Sequence, residues 1–107
     1  MVVHSTDTDF SQNLSNNTIN VVKFYADWCG TCKLFSPKFK RISEDERFKE
    51  VGFLEVNAEE NPEIRKAAGV NNLPFLAVFK NGQLLEGVAT GKEDALIQLI
   101  VNAQQSN

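Results

Sequence analysis

The sequence predicts an α/β domain over residues 1–107, a central mixed β-sheet with helices on both of its faces. Three observations carry this reading. β-Branched and aromatic runs alternate with stretches whose apolar residues recur at helical spacing. Two of the runs are joined by Asn81-Gly82, the turn sequence of a tight antiparallel hairpin. The other runs are separated by helical stretches, and strands so connected are expected to lie parallel. The length is that of one domain. With 42% hydrophobic residues, eight of them Phe, the chain has enough for one core without staples.

Along the chain, Thr6-Asp7-Thr8-Asp9 offers a helix start of capping-box type, and Phe10 with Leu14 follows as an apolar i, i+4 pair. Asn16-Asn17 ends that helix. Ile19 to Tyr25 is β-branched and aromatic, the composition of a buried strand. It runs straight into Trp28-Cys29-Gly30-Thr31-Cys32. Phe35, Phe39 and Ile42 then share one helical face, so the two cysteines sit at a strand-to-helix junction. Pro37 inside this helix predicts a kink. Phe53 to Val56 is a short strand. Asn61-Pro62 starts a helix with proline in its first position, Ile64, Ala67 and Ala68 form its stripe, and Gly69 stops it. Phe75 to Phe79 is a strand, Asn81-Gly82 a turn, and Leu84-Leu85 begins the return strand. From Lys92, the spacing Leu96, Leu99, Ile100, Ala103 gives a last amphipathic helix. The predicted order is strand, helix, strand, helix, strand, helix, hairpin, helix.

Charge narrows the function. The net charge is −3, and the eleven Lys and Arg are spread along the chain. Nucleic acids and anionic membranes are bound through concentrated positive charge, so neither is expected as a partner. No run approaches the ~20 apolar residues needed to cross a bilayer. Met1-Val2-Val3-His4-Ser5 lacks the basic and apolar regions of a secretory leader, which points to the cytoplasm. Nothing in the sequence calls for more than a monomer.

Two cysteines are few for a disulfide-stapled module, and a bridge closing so short a loop constrains the unfolded chain little. Chemistry explains the pair better. At a helix start the first cysteine lies among unpaired N–H groups at the positive end of the helix dipole, which favours thiolate. The second follows one turn later, within reach of a mixed disulfide formed by the first. Two other readings stay open beside this one. A zinc half-site would need further ligands, while the chain has one His, His4, and no third Cys. Two inert buried thiols would have no use for the adjacent Trp, Gly and helix start.

The segment Phe24-Tyr-Ala-Asp-Trp-Cys-Gly-Thr-Cys-Lys33 closely resembles the active-site segment of the thioredoxin family. The resemblance covers essentially the whole chain, through Phe10, Pro37, Asn57, Asn61-Pro62, Gly69-Val70, Leu73-Pro74 and Lys80-Asn81-Gly82. It implies the thioredoxin fold and exchange of disulfides with protein substrates. It also implies that Cys29 is the attacking thiol, that Cys32 is the buried resolving thiol, and that Pro74 is the family's cis-proline. An edge-strand or turn proline is the other reading of Pro74. Trp28, Gly30, Thr31, Leu73, Pro74 and Gly91 would form the surface on which substrates dock, although Trp28 alone is equally read as packing. The exchange needs no bound cofactor. Re-reduction implies a partner, by family analogy an NADPH-dependent thioredoxin reductase.

Three departures from the family pattern shape the expectations. Thr31 stands where thioredoxins usually carry proline, which frees an N–H and adds a hydroxyl beside Cys29. A couple more oxidising than a typical thioredoxin follows. Lys23 stands where the family places a buried Asp, and Glu55 where it places the Lys that partners it. The pair is swapped in sign. Lys23 and Glu55 are expected as a buried ion pair beneath the cysteines, with Glu55 accepting the Cys32 proton through water; partly exposed strand residues pairing for structure is the alternative. Finally, Gly82 to Gly91 is one residue longer than usual, which predicts a bulge and makes Thr90 a substitute for Gly91. Two rival functions remain: a redox-switched binding module, and an oxidase or isomerase.

Overall fold

The computed structural model describes residues 1–106. The strand at its centre, β2 (Ile19–Tyr25), is buried from Asn20 to Phe24 because it has a paired strand on each edge and helices on each face. Around it the chain runs β1 (Val2–His4), α1 (Phe10–Ser15), β2, α2 (Gly30–Ser43), β3 (Gly52–Asn57), α3 (Pro62–Ala68), β4 (Phe75–Lys80), β5 (Gln83–Ala89) and α4 (Glu93–Gln105). The five strands form one sheet in the order β1-β3-β2-β4-β5. β1, the leading strand of the predicted order, is three residues long, too short for a period in the sequence to set its bounds.

One strand direction differs from expectation. β1, β3 and β2 are parallel, but β4 runs antiparallel to β2 although a helix precedes it. The reason is length. Seven residues of α3 rise only about 10 Å, too little to carry the chain back along the sheet. The chain therefore leaves β3 and enters β4 at the same end, where Phe24 is level with both Val56 and Phe75. That end also carries Cys29 and Leu73-Pro74, so the short helix is what gathers the site.

Successive β2 residues face opposite ways. Val21 packs with Phe35, Phe39, Leu96 and Ile100 beneath α2 and α4, while Val22 and Phe24 pack with Leu14, Ile64 and Ala68 beneath α1 and α3. Lys23 shares the Val21 face. α2 continues through Pro37, which withholds the N–H that would bond the Lys33 carbonyl. At the hairpin, Asn81 and Gly82 have φ of 54° and 79°, as a two-residue turn with both centres left-handed requires. The longer return strand is accommodated as expected. Val78 pairs with Glu86 and Phe79 with Leu84, which leaves Leu85 as the extra residue of a bulge.

Candidate active site

Cys29 is the N-cap of α2. Its backbone is extended (φ −88°, ψ 104°), and its Sγ accepts the Cys32 backbone N–H at 3.2 Å. The sulfur thus takes the place of the side-chain oxygen that usually satisfies an orphan N–H at a helix start. No acidic residue occupies the first turn. Cys29 and Cys32 are joined as a disulfide, and Cys29 is the more exposed of the two, 6% against 2%. Around the disulfide lie Ala26, Tyr25 and Leu73.

The Leu73-Pro74 peptide bond is cis. A Cβ placed on Gly91 would lie 3.1 Å from Pro74 Cγ and 3.5 Å from Thr31 Cγ2, so Thr31, Pro74 and Gly91 are in contact as one group. The absent side chain keeps that contact close. Thr90 instead turns its hydroxyl to the Lys92 N–H, which puts Gly91 and not Thr90 in the group. Trp28 is 67% exposed, and its Nε1 donates to Glu59 Oε2 at 2.8 Å. Trp28 and Leu73 line a cleft of ≈ 250 Å³ together with Glu59, Arg65 and Asn72. Gly30 is exposed, with open space where a side chain would stand.

Lys23 and Glu55 are level on neighbouring parallel strands, Nζ to Oε2 3.4 Å. The expected burial of both holds for one partner. The Lys23 side chain is 3% exposed and that of Glu55 33%. Only the short β1 covers β3 on its outer edge, so Glu55 reaches solvent there beside His4, Nδ1 to Oε1 4.0 Å. Lys23 Nζ donates to Ser36 Oγ at 2.7 Å, and Ser36 Oγ donates to the Cys32 carbonyl at 3.2 Å. Burial pushes the Lys23 ammonium below the usual lysine range, with Glu55 opposing the shift. Burial foremost, then Glu55, raises the Tyr25 phenol. Lys23, Ser36, Phe39, Lys40 and Glu55 line a cavity of ≈ 510 Å³ under α2.

Two residues of this site escape a reading of the sequence. Ser36 falls one helical turn after Cys32, but nothing in its identity ties it to Lys23. Glu59 steadies Trp28 across 31 positions, a separation with no local signal. Among the described residues, no three His, Cys, Asp or Glu gather as metal ligands, and no helix is long and apolar enough to cross a membrane.

Comparison with known proteins shows what the chain as a whole is similar to. The Thioredoxin family model matches residues 1–102. A thioredoxin of Rickettsia bellii is 34% identical over 104 residues, 95% of this chain and 98% of that one. The mitochondrial thioredoxin-2 of Schizosaccharomyces pombe is 33% identical over 97 residues, 91% of this chain and 71% of its own length. Among solved structures, oxidised mitochondrial thioredoxin 3 of Saccharomyces cerevisiae superposes with a TM-score of 0.84 at 28% identity, covering 94% of each chain.

Proposed function

The chain belongs to the thioredoxin family and is a thiol–disulfide oxidoreductase, and from that premise we propose how its residues share the work. Residues 1–107 act as one domain. Cys29 is the nucleophile, and the observation that carries this is its sulfur capping α2, where a thiolate meets the free N–H groups and the positive helix pole. The Cys29 thiolate attacks a substrate disulfide, forms a bond to one substrate sulfur and expels the other as a thiolate. Cys32 then gives up its proton, through water to Glu55. Its sulfur bonds to Cys29 Sγ, and the second substrate sulfur leaves. Two electrons pass to the substrate and the Cys29–Cys32 disulfide remains.

Trp28, Gly30, Thr31, Leu73, Pro74 and Gly91 receive the substrate segment. The exposed Trp28, Gly30 and Thr31, the half-buried Leu73 and Gly91 that flank the buried Pro74, and the cleft beside Trp28 support this. Re-reduction falls to an NADPH-dependent thioredoxin reductase, and the reducing cytoplasm is the compartment in which such a cycle runs. Insulin-disulfide reduction with that reductase and NADPH tests the reading. Sustained turnover that vanishes in Cys29→Ser is expected; wild-type turnover equal to the buffer control overturns it. Glu55→Gln is expected to slow resolution and alter its pH dependence, and an unchanged profile removes Glu55 as the proton acceptor.

Thr31 bears on the direction of exchange. Its N–H and hydroxyl beside Cys29 favour the thiolate and hence the reduced form. Thr31→Pro is expected to make the reduction potential more negative by roughly 30 mV, ~1.4 kcal/mol for two electrons. A redox titration checks it, and an unchanged or less negative value counts against the role.

A further inference from the structure

Lys23 is the one Asp, Glu, Lys or Arg buried among the described residues. An ammonium so placed loses its hydration and needs compensation. Its compensation is specific: Ser36 Oγ at 2.7 Å, Glu55 Oε2 at 3.4 Å, and the rings of Phe39 and Tyr25 at 5.3 and 5.6 Å. Ser36 passes the contact on to the Cys32 carbonyl. The ammonium is therefore anchored to α2 at Ser36, in its second turn, two hydrogen bonds from the backbone of the second cysteine.

We propose that Lys23 is a positioning residue whose positive charge, held against α2 through Ser36, stabilises the Cys32 thiolate. The inference rests on reading Cys32 as the resolving thiol, and it adds what makes that thiol ionise. A buried carboxylate in this place could accept the proton, but as long as it stays ionised it disfavours a second negative charge on the sulfur. An ammonium does the reverse: it accepts nothing, and its field lowers the thiol pKa. The proton goes by water to Glu55, which stands at the solvent side of Lys23. The Cys32–Cys29 bond then forms as the Cys29–substrate bond breaks, and the departing substrate thiolate is protonated from solvent.

Facing Lys23 are Glu55 on β3, Tyr25 on its own strand, and Lys40 and Glu44 of α2 across the cavity, with His4 of β1 behind Glu55. Burial acts against the ammonium and Glu55 favours it. The assistance is therefore greatest at neutral pH and fades as the ammonium loses its proton in alkali.

The test isolates Cys32 in a Cys29→Ser background and follows thiolate ultraviolet absorbance against pH. Lys23→Met is expected to raise the Cys32 pKa by about one unit, a tenfold lower thiolate fraction at neutral pH. Lys23→Arg should restore much of the effect. Glu55→Gln should shift the pKa down or leave it in place, since it removes a negative charge. Circular dichroism verifies the fold of each variant. Should Lys23→Met fail to fold, Ser36→Ala is read in its stead, because it keeps the charge but frees it from the helix; a smaller upward shift is expected. An unchanged or lowered Cys32 pKa in the folded variant overturns the proposal. So do equal upward shifts in Lys23→Met and Glu55→Gln, the mark of a merely structural pair. Insulin reduction by the intact protein is scored separately, so failure of the reductase reading is distinguishable from failure of the charge effect.

Discussion

The helices α2 and α3 both begin where parallel strands end, at the same end of the sheet but on opposite faces, and their first turns are satisfied in opposite ways. At α3 the cap is a carboxylate from a distant part of the chain. Asp7 accepts the N–H groups of Glu63 at 3.1 Å and Ile64 at 2.9 Å, its own N–H donates to Asn61 Oδ1 at 2.8 Å, and Glu63 adds a further acid. At α2 there is no acid in the first turn, and the one side-chain cap is the sulfur of Cys29. A helix start already holding carboxylates has its positive pole spent on structure. One left to a sulfur keeps that pole for whatever charge the sulfur acquires. The same backbone feature is thus a clamp in one place and a reactive centre in the other.

Breaking the contrast at α2 gives the largest effect. Cys29→Ser keeps an oxygen cap for the helix but removes the nucleophile, so disulfide reduction should fall by roughly 10³-fold or more while far-ultraviolet circular dichroism is unchanged. The corresponding change at α3, Asp7→Ala, should do the opposite. It is expected to lower stability by about 1–2 kcal/mol, read as a lower urea midpoint at constant slope, with insulin reduction within twofold of wild type. Giving α2 the acid that α3 has, by Thr31→Asp, should slow alkylation of reduced Cys29 at neutral pH by about fivefold, ~1 kcal/mol, since the new carboxylate competes for the pole.

The smallest effect concerns what lies beneath. α3 has no buried charge under it, whereas α2 has Lys23, whose folded pKa is depressed by burial. Below that depressed pKa both folded and unfolded chains hold the proton, and the cost of burying it is fully present. Between it and the ordinary lysine value the unfolded chain binds more protons, so wild-type stability rises with pH. Lys23→Met/Glu55→Gln should therefore be more stable than wild type at neutral pH by about 1 kcal/mol. That margin should shrink as pH rises through the folded pKa of Lys23. Thermal unfolding across pH measures it, and a margin that grows in alkali contradicts the assignment.

The elements whose signals are local were legible in the sequence. Ile19–Tyr25, the hairpin at Asn81-Gly82 and the stop at Gly69 arise from residues acting on their own backbone, whereas the bulge in the return strand was legible only as one residue more than the thioredoxin pattern carries. The N-terminus of α3 was legible only in part. Pro62 marks its place, but the residue that caps it is Asp7, more than fifty positions away, and Asn61 contributes no side-chain cap. The direction of β4 was misread, because helix-linked strands are parallel only when the helix is long enough to span the sheet. In the site, the cysteine pair stands out by type and spacing, and Trp28 and Leu73-Pro74 by their resemblance to the thioredoxin family. Ser36 and Glu59 do not, since a serine or glutamate on a helix or loop has no pattern that names its distant partner.

By itself the sequence determined the redox centre: two cysteines one helical turn apart, at the point where a buried strand becomes a helix. Covalent spacing and helix periodicity suffice for that. Only the tertiary structure decided what surrounds the pair. It set Lys23 inside and Glu55 half outside, closed Gly91 against Pro74 and Thr31, and tied the buried ammonium to the Cys32 carbonyl through Ser36. Burial and charge environment are properties of the packed sheet and its edges, and no short stretch of the chain contains them.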